Sequence, residues 1–225
     1  LDGSEAMRKR PMKGLIIALE SHGTKFEFIG DEYCFPFKII CKGLTSDNWE
    51  IDASNSSQII SAILLIAPLI SGNTHINLIN GTVSRPFVNM TLEMMKEFAQ
   101  EISGNLIISD DRYEIPCFQY QLTQNEYQIE PDATAASYFL SLPIAIGGDI
   151  HINGIQDCKL QGDIEFCKII SKCGLSLSKM DNGIEVSFID HINGGNFDFN
   201  DISDTFLTLA ALSPLLDSPL KIYGI

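Results

Sequence analysis

The stretches INLING (76–81), IHINGI (150–155) and LKIYGI (220–225) decide how this chain is built. Each is a short apolar run that closes on a glycine, and LDG at residues 1–3 places another glycine at the same phase. Gly3, Gly81, Gly154 and Gly224 therefore stand 78, 73 and 70 residues apart. Recurrence at such a period marks a fold of stacked units, because one unit alone cannot bury its apolar face.

The same order of elements repeats inside each interval. An amphipathic helix follows the glycine loop, over Lys13–Ser21, Leu92–Glu101 and Ile164–Lys172; in the second, Leu92, Met95, Phe98 and Ala99 form one stripe. Two strands come next, in KFEFIGDEYCFPFKIIC (25–41), NLIISDDRYEIPCF (105–118) and LSLSKMDNGIEVSF (175–188), with Gly-Asp, Asp-Asp and Asn-Gly as the turns. A further strand, a polar loop and a more apolar helix complete the unit: EIDASNSSQIISAILLIAPL (50–69), YQIEPDATAASYFLSLPIAI (127–146) and FDFNDISDTFLTLAALSPLL (197–216). The pattern predicts an α/β fold of βαβαββ-like units of about 70–78 residues, helices packed inside sheets, closing about a pseudo-threefold axis. Because it starts and stops at one phase of the unit, the chain is expected to be an excerpt of a longer protein.

Composition narrows the partners. Apolar residues make up 45% and charged residues 20%, the balance of a globular chain rather than a disordered one. The longest apolar stretch, Ile59–Ile70, is broken by Ser61 and Pro68 and is too short to span a bilayer, so it is assigned to the core. With 15 basic and 29 acidic residues the formal charge is −14, which repels nucleic acid and anionic membranes alike. Six cysteines without a C-x-x-C pair argue against a metal site or a disulfide framework, and no leader is visible, so a cytoplasmic location is expected. The four histidines are scattered and are assigned to structure or surface.

A chain of this charge can bind an anion only through a local cluster. Arg8, Lys9, Arg10 and Lys13 form the densest one, directly after a repeat glycine, and Ser84 and Arg85 occupy the equivalent loop one unit later. Ser54, Asn55, Ser56, Ser57 and Gln58 precede an apolar helix. One such side chain suffices to cap a helix, and several together at the positive end of its dipole can also present donors to a phosphate; both readings stand. Asp204 begins the corresponding helix of the third unit, where it is either a charge on the dipole or a proton acceptor.

Six stretches resemble one known family: LDGSEAMRKRPM (1–12), IDASNSSQ (51–58), VSRPFVNMTLEMMKEF (83–98), EPDATAASYFL (130–140), LQGDIEF (160–166) and ISDTFLTLAAL (202–212). In this order, over essentially the whole chain, they resemble the enolpyruvyl transferases, and among them the branch that acts on shikimate 3-phosphate. The resemblance implies an inside-out α/β barrel of two domains with substrates in the cleft between them; residues 1–129 would be part of the first domain (two units) and 130–225 the beginning of the second. It implies that Arg10 binds phosphoenolpyruvate, that Ser56, Ser57, Gln58 and Ser84 hold shikimate 3-phosphate with Gln58 also facing phosphoenolpyruvate, and that Asp204 touches the shikimate ligand and takes the proton of its attacking hydroxyl. No metal or cofactor is implied, and a monomer is expected. Phe87, Ala6 and Ser203 depart from the family's frequent tyrosine, arginine and proline. Other family motifs lie outside this sequence, so the isolated chain is expected to be inactive. The alternatives are the branch that acts on UDP-N-acetylglucosamine through a cysteine, which SSQ and RPFVNMTLEMM fit poorly, and a noncatalytic binding or clamp-like module.

Overall fold

The computed structural model describes residues 1–225 except 46, 83, 100–105, 110 and 123–125. Two compact units are present, Leu1–Val83 with Thr91–Asn125, and Ser84–Met90 with Glu126–Ile225. No helix among the described residues is long and apolar enough to cross a membrane.

The first unit runs α1 (Glu5–Arg8), α2 (Lys13–Glu20), β1 (Thr24–Phe28), β2 (Phe37–Cys41), β3 (Asn48–Ala53), α3 (Ser57–Ile66), β4 (Thr74–Thr82), α4 (Arg85–Phe98), β5 (Ile107–Ile108) and β6 (Arg112–Ile115), with the start of α4, through Met90, belonging to the second unit. β1 and β2 form an antiparallel pair, and β3-β4-β6-β5 form a sheet whose β3–β4 pair is parallel. A parallel pair needs a crossover, and α3 supplies it. β3 alternates strictly: Trp49, Ile51 and Ala53 are buried while Asn48, Glu50 and Asp52 face out, as a pleat covered on one side requires. On α3, Ile60, Ile63 and Leu64 are wholly buried, each contributing about 1.5–3 kcal/mol relative to exposure. His22 belongs to this packing, its ring stacked 3.7 Å from the Trp49 ring and its Nδ1 3.0 Å from the Ala18 carbonyl.

The second unit holds α5 (Ala133–Leu140), α6 (Leu142–Ile146), β7 (Asp149–Asn153), α7 (Phe166–Cys173), β8 (Ser176–Met180), β9 (Gly183–Ser187), β10 (Asn196–Asp198), α8 (Phe206–Leu212) and β11 (Lys221–Tyr223). β7-β9-β8 are antiparallel, and β10 pairs in parallel with β11 across α8. Leu140, Ile155, Phe166, Ile170, Val186, Phe199 and Leu209 make one core.

The glycine repeat has a conformational cause. Gly81, Gly154 and Gly224 take φ of 69°, 78° and 74° at or just beyond the ends of β4, β7 and β11, a left-handed region that a β carbon disfavours. The three apolar helices also stop alike. Pro68, Pro143 and Pro214 each start a new short helical turn, since proline can open a turn but cannot continue one.

Several expected boundaries shift. α4 begins at Arg85 rather than Leu92, because Pro86 is tolerated in a first turn; the expected end at Glu101 lies outside the described residues. Ile164 and Glu165 lie in a 3-10 turn, Gly162–Glu165, and α7 starts only at Phe166. No Gly-Asp hairpin joins β1 to β2: residues 29–36 form a longer loop, with Ile29 N–H donating to the Pro36 carbonyl. The Asp-Asp turn falls partly outside the described residues. In the last pair Asp181 and Asn182 make the turn, and Gly183 is already in β9, where a β carbon would strike the Ile152 carbonyl. The strand expected in YQIE is absent; residues 127–130 have no regular structure and lead straight to α5.

Candidate functional site

In the first unit the serine cluster is organised by an acid that the motif reading passed over. Asp52, the penultimate residue of β3, accepts from Ser54 N–H at 3.0 Å and Ser54 Oγ at 2.6 Å through Oδ1, and from Asn80 Nδ2 at 2.9 Å through Oδ2. These bonds, Ser54's first and Asn80's after, hold the Asp52 carboxyl below the usual range. A depressed pKa favours the folded turn above the ordinary carboxylate range, and this contribution is lost as pH falls through the lowered value.

Ser56 is the N-cap of α3, its Oγ accepting from Gln58 N–H at 3.2 Å. The capping reading therefore holds for Ser56. Ser57 is buried and Gln58 is exposed, and neither side chain has a hydrogen-bond partner among the described residues. Asp52, Asn55, Ser56, Gln58 and Lys13 line one cleft of about 710 Å³. α2 closes on α3 at Gly14, where a β carbon would lie 2.6 Å from Ile59 Cδ1.

The basic cluster divides by partner. Arg8 is paired with Asp2, Lys9 with Glu5 at 3.2 Å, and Lys13 lies 5.4 Å from the Tyr33 ring centroid. Arg10 is exposed, with its backbone N–H bonded to the Met7 carbonyl and no partner for its guanidinium among the described residues. It sits on the strap between α1 and α2, outside the lining of the cleft that Lys13 enters.

In the second unit, two of the matched stretches and the residue just before a third meet at one glycine. A β carbon on Gly162 would lie 2.9 Å from Pro86 Cβ and 3.1 Å from the Asp201 carbonyl oxygen, so only a bare backbone lets the loop bearing Ser84 and the turn leading to Asp204 close on it. Ser84 has φ of 52°, a conformation that costs a non-glycine residue about 1–3 kcal/mol and is found where a structure has a use for it. The 3-10 turns Gly162–Glu165 and Ser203–Thr205 pack together and against α5. Asp204 is exposed in the second of them. Beside it the buried Asp163 accepts a bond from Thr134 Oγ1; burial pushes its carboxyl up, reinforced by the charges of Asp204 and Asp132.

Ser56, Ser57, Gln58 and Arg10 thus belong to the first unit, and Ser84 and Asp204 to the second. Asp52, Asn80 and Asp163 were not singled out from the sequence. A signal for the first existed: an acid follows an apolar residue at the same phase of each repeat, Ile51-Asp52, Ile129-Glu130 and Phe197-Asp198. Glu130 accepts from the N–H groups of Lys159 and Leu160, and Asp198 from Asn200 N–H. Cys158, Cys167 and Cys173 do not present a ready thiolate, since burial pushes their thiols up to about 11.

The family model of EPSP synthase (3-phosphoshikimate 1-carboxyvinyltransferase) matches residues 1–225. Among curated relatives, the 3-phosphoshikimate 1-carboxyvinyltransferase of Opitutus terrae is 40% identical over the whole of this chain and 49% of its own length, and that of Idiomarina loihiensis is 36% identical over the whole of this chain and 52% of its own. The chain spans about half the length of the curated relatives it matches. Among solved structures, EPSP synthase from Acinetobacter baumannii superposes with a TM-score of 0.73 at 17% identity, covering 99% of this chain and 50% of that one. The enolpyruvyl transferase NikO from Streptomyces tendae gives 0.65 at 11% identity, covering 94% and 52%. At such identities the structures establish the inside-out α/β fold, and the sequence match establishes kinship. The chain belongs to the EPSP synthase family.

Proposed function

We propose that the protein carrying this chain transfers the enolpyruvyl group of phosphoenolpyruvate to the 5-hydroxyl of shikimate 3-phosphate and releases phosphate. Beside the family match, the observation that carries the reading is the junction at Gly162, which gathers the Ser84 loop and the Asp204 turn in one unit.

The reaction needs a base for the hydroxyl, a proton for the methylene carbon of phosphoenolpyruvate, and donors around two phosphates and a carboxylate. Asp204 takes the hydroxyl proton as the oxygen bonds to the central carbon of phosphoenolpyruvate. Its exposure leaves it open to a substrate. The methylene gains a proton to give a tetrahedral adduct, and loss of a proton and of phosphate restores the double bond. Ser56, Ser57, Gln58 and Ser84 hold shikimate 3-phosphate. Gln58 and Arg10 face phosphoenolpyruvate, Arg10 through the forked geometry that suits a carboxylate or phosphate. In this reading residues 1–129 are part of the first domain, two units of it, and residues 130–225 the beginning of the second. No metal or organic cofactor takes part. We place the protein in the cytoplasm as a monomer, in keeping with six free thiols.

The test is phosphate release by the full-length protein. Release that requires both phosphoenolpyruvate and shikimate 3-phosphate supports the reading, and none from the pair sinks it. Release with UDP-N-acetylglucosamine in place of shikimate 3-phosphate would assign the other branch.

A further inference from the structure

We propose that Asp52 is a positioning residue, which acts through the Ser54–Gln58 turn by tying it to Asn80 on the neighbouring strand. The inference rests on the proposed function for what the turn binds, and on the following geometry for the rest.

β3 and β4 lose register at this point. Ile51 pairs with Leu78 and Ala53 with Thr82, so β3 advances two residues while β4 advances four. Asn80 and Gly81 lie in this bulge, with Gly81 in the left-handed region. Bulges re-aim side chains next to sites, and here the re-aimed Asn80 donates to Asp52 Oδ2. The other oxygen holds Ser54 twice. Both carboxylate oxygens are therefore committed to fixing the residues before Ser56, the N-cap that starts α3.

The equivalent acids make the role specific. Glu130 and Asp198 also anchor their turns, but through backbone N–H groups. Of these three acids, only Asp52 has, among the described residues, a side-chain bond to the strand that closes its repeat. Asp52 is exposed and its bonds are with exposed groups, so it adds little to the core; it orders a turn whose side chains line the cleft.

The experiment exchanges the pair in the full-length protein. Asp52→Asn leaves two amide groups facing each other, Asn80→Asp two carboxylates, and the double exchange restores an amide–carboxylate bond in the reverse sense. Each single variant should raise KM for shikimate 3-phosphate about ten-fold, the effect of one hydrogen bond to a charged group, with a smaller change in kcat, and the double variant should return KM to within about three-fold of the parent. Hydrogen exchange of the amides of residues 54–58 should speed up in the single variants and recover in the double. Unchanged KM and exchange in both single variants would overturn the proposal, as would a double variant no better than the worse single. A parent protein that releases no phosphate defeats the proposed function instead, and the exchange measurement then still decides whether Asp52 orders the turn.

Discussion

In the first repeat β3 gives way to α3 through residues 52–56; in the third, β10 gives way to α8 through residues 198–205. Both turns open on an aspartate that accepts a backbone N–H two residues on, at 3.0 Å in each. Five residues past that aspartate helical structure begins in both, as a ten-residue α-helix at Ser57 and as a 3-10 turn at Ser203. The second helical residue is Gln58 in one and Asp204 in the other. Ser56 caps α3, whereas no side chain caps α8. A repeated scaffold thus fixes a position relative to strand and helix, and the residue placed there decides the chemistry: an amide can only hold a ligand, while a carboxylate can hold one and take its proton.

The sharpest way to break this comparison is to remove the two side chains in the full-length protein. Asp204→Ala should lower kcat by about 10²–10⁴-fold, the usual contribution of a general base. Gln58→Ala should act mainly on KM, by about ten-fold for the loss of one or two substrate bonds. Steady-state kinetics with each substrate varied measures both. A kcat loss at Gln58 as large as that at Asp204 would show that the two positions are not divided as proposed.

The closing glycines come next in size. A β carbon on Gly224 would run into Asp198 Oδ1, whereas on Gly81 the nearest atom, Asp111 Oδ1, is 3.8 Å away; both residues have positive φ. Gly81→Ala should cost about 1–2 kcal/mol for the left-handed backbone. Gly224→Ala adds overpacking and should cost about 2–5 kcal/mol. Denaturant titration of the two variants would reveal whether the third turn is packed more tightly on its closing strand than the first.

The smallest contrast lies at the caps. Ser56→Ala should destabilise by about 1 kcal/mol, the worth of an N-cap hydroxyl, and Ser203→Ala by less than about 0.5 kcal/mol. Equal losses in thermal or denaturant unfolding would mean that the two helices start alike after all.

Much of the scaffold could be read in advance because its causes are local. Glycine is the residue for a left-handed position, so Gly81, Gly154 and Gly224 announce the period. The start of α4 was hidden because Pro86 resembles a loop signal, and the length of the loop between β1 and β2 because the Gly30-Asp31 pair imitates a tight turn. At the candidate site, residue chemistry alone left Ser56 divided between cap and ligand; the structure shows it capping, and its use toward a substrate stays a proposal. The assignment of Ser84 and Asp204 came from the resemblance, not from any property of a lone serine or aspartate.

The sequence by itself determined the repeat, most of the order of its elements and the family, since these follow from backbone sterics, side-chain periodicity and motifs contiguous along the chain; the strand expected in YQIE was the exception. Only the tertiary structure decided that Pro86, Gly162 and Asp201 share one junction and that Asp52 reaches Asn80 across a bulge. Those facts depend on distances between residues remote in sequence, fixed when the apolar faces within each unit are buried.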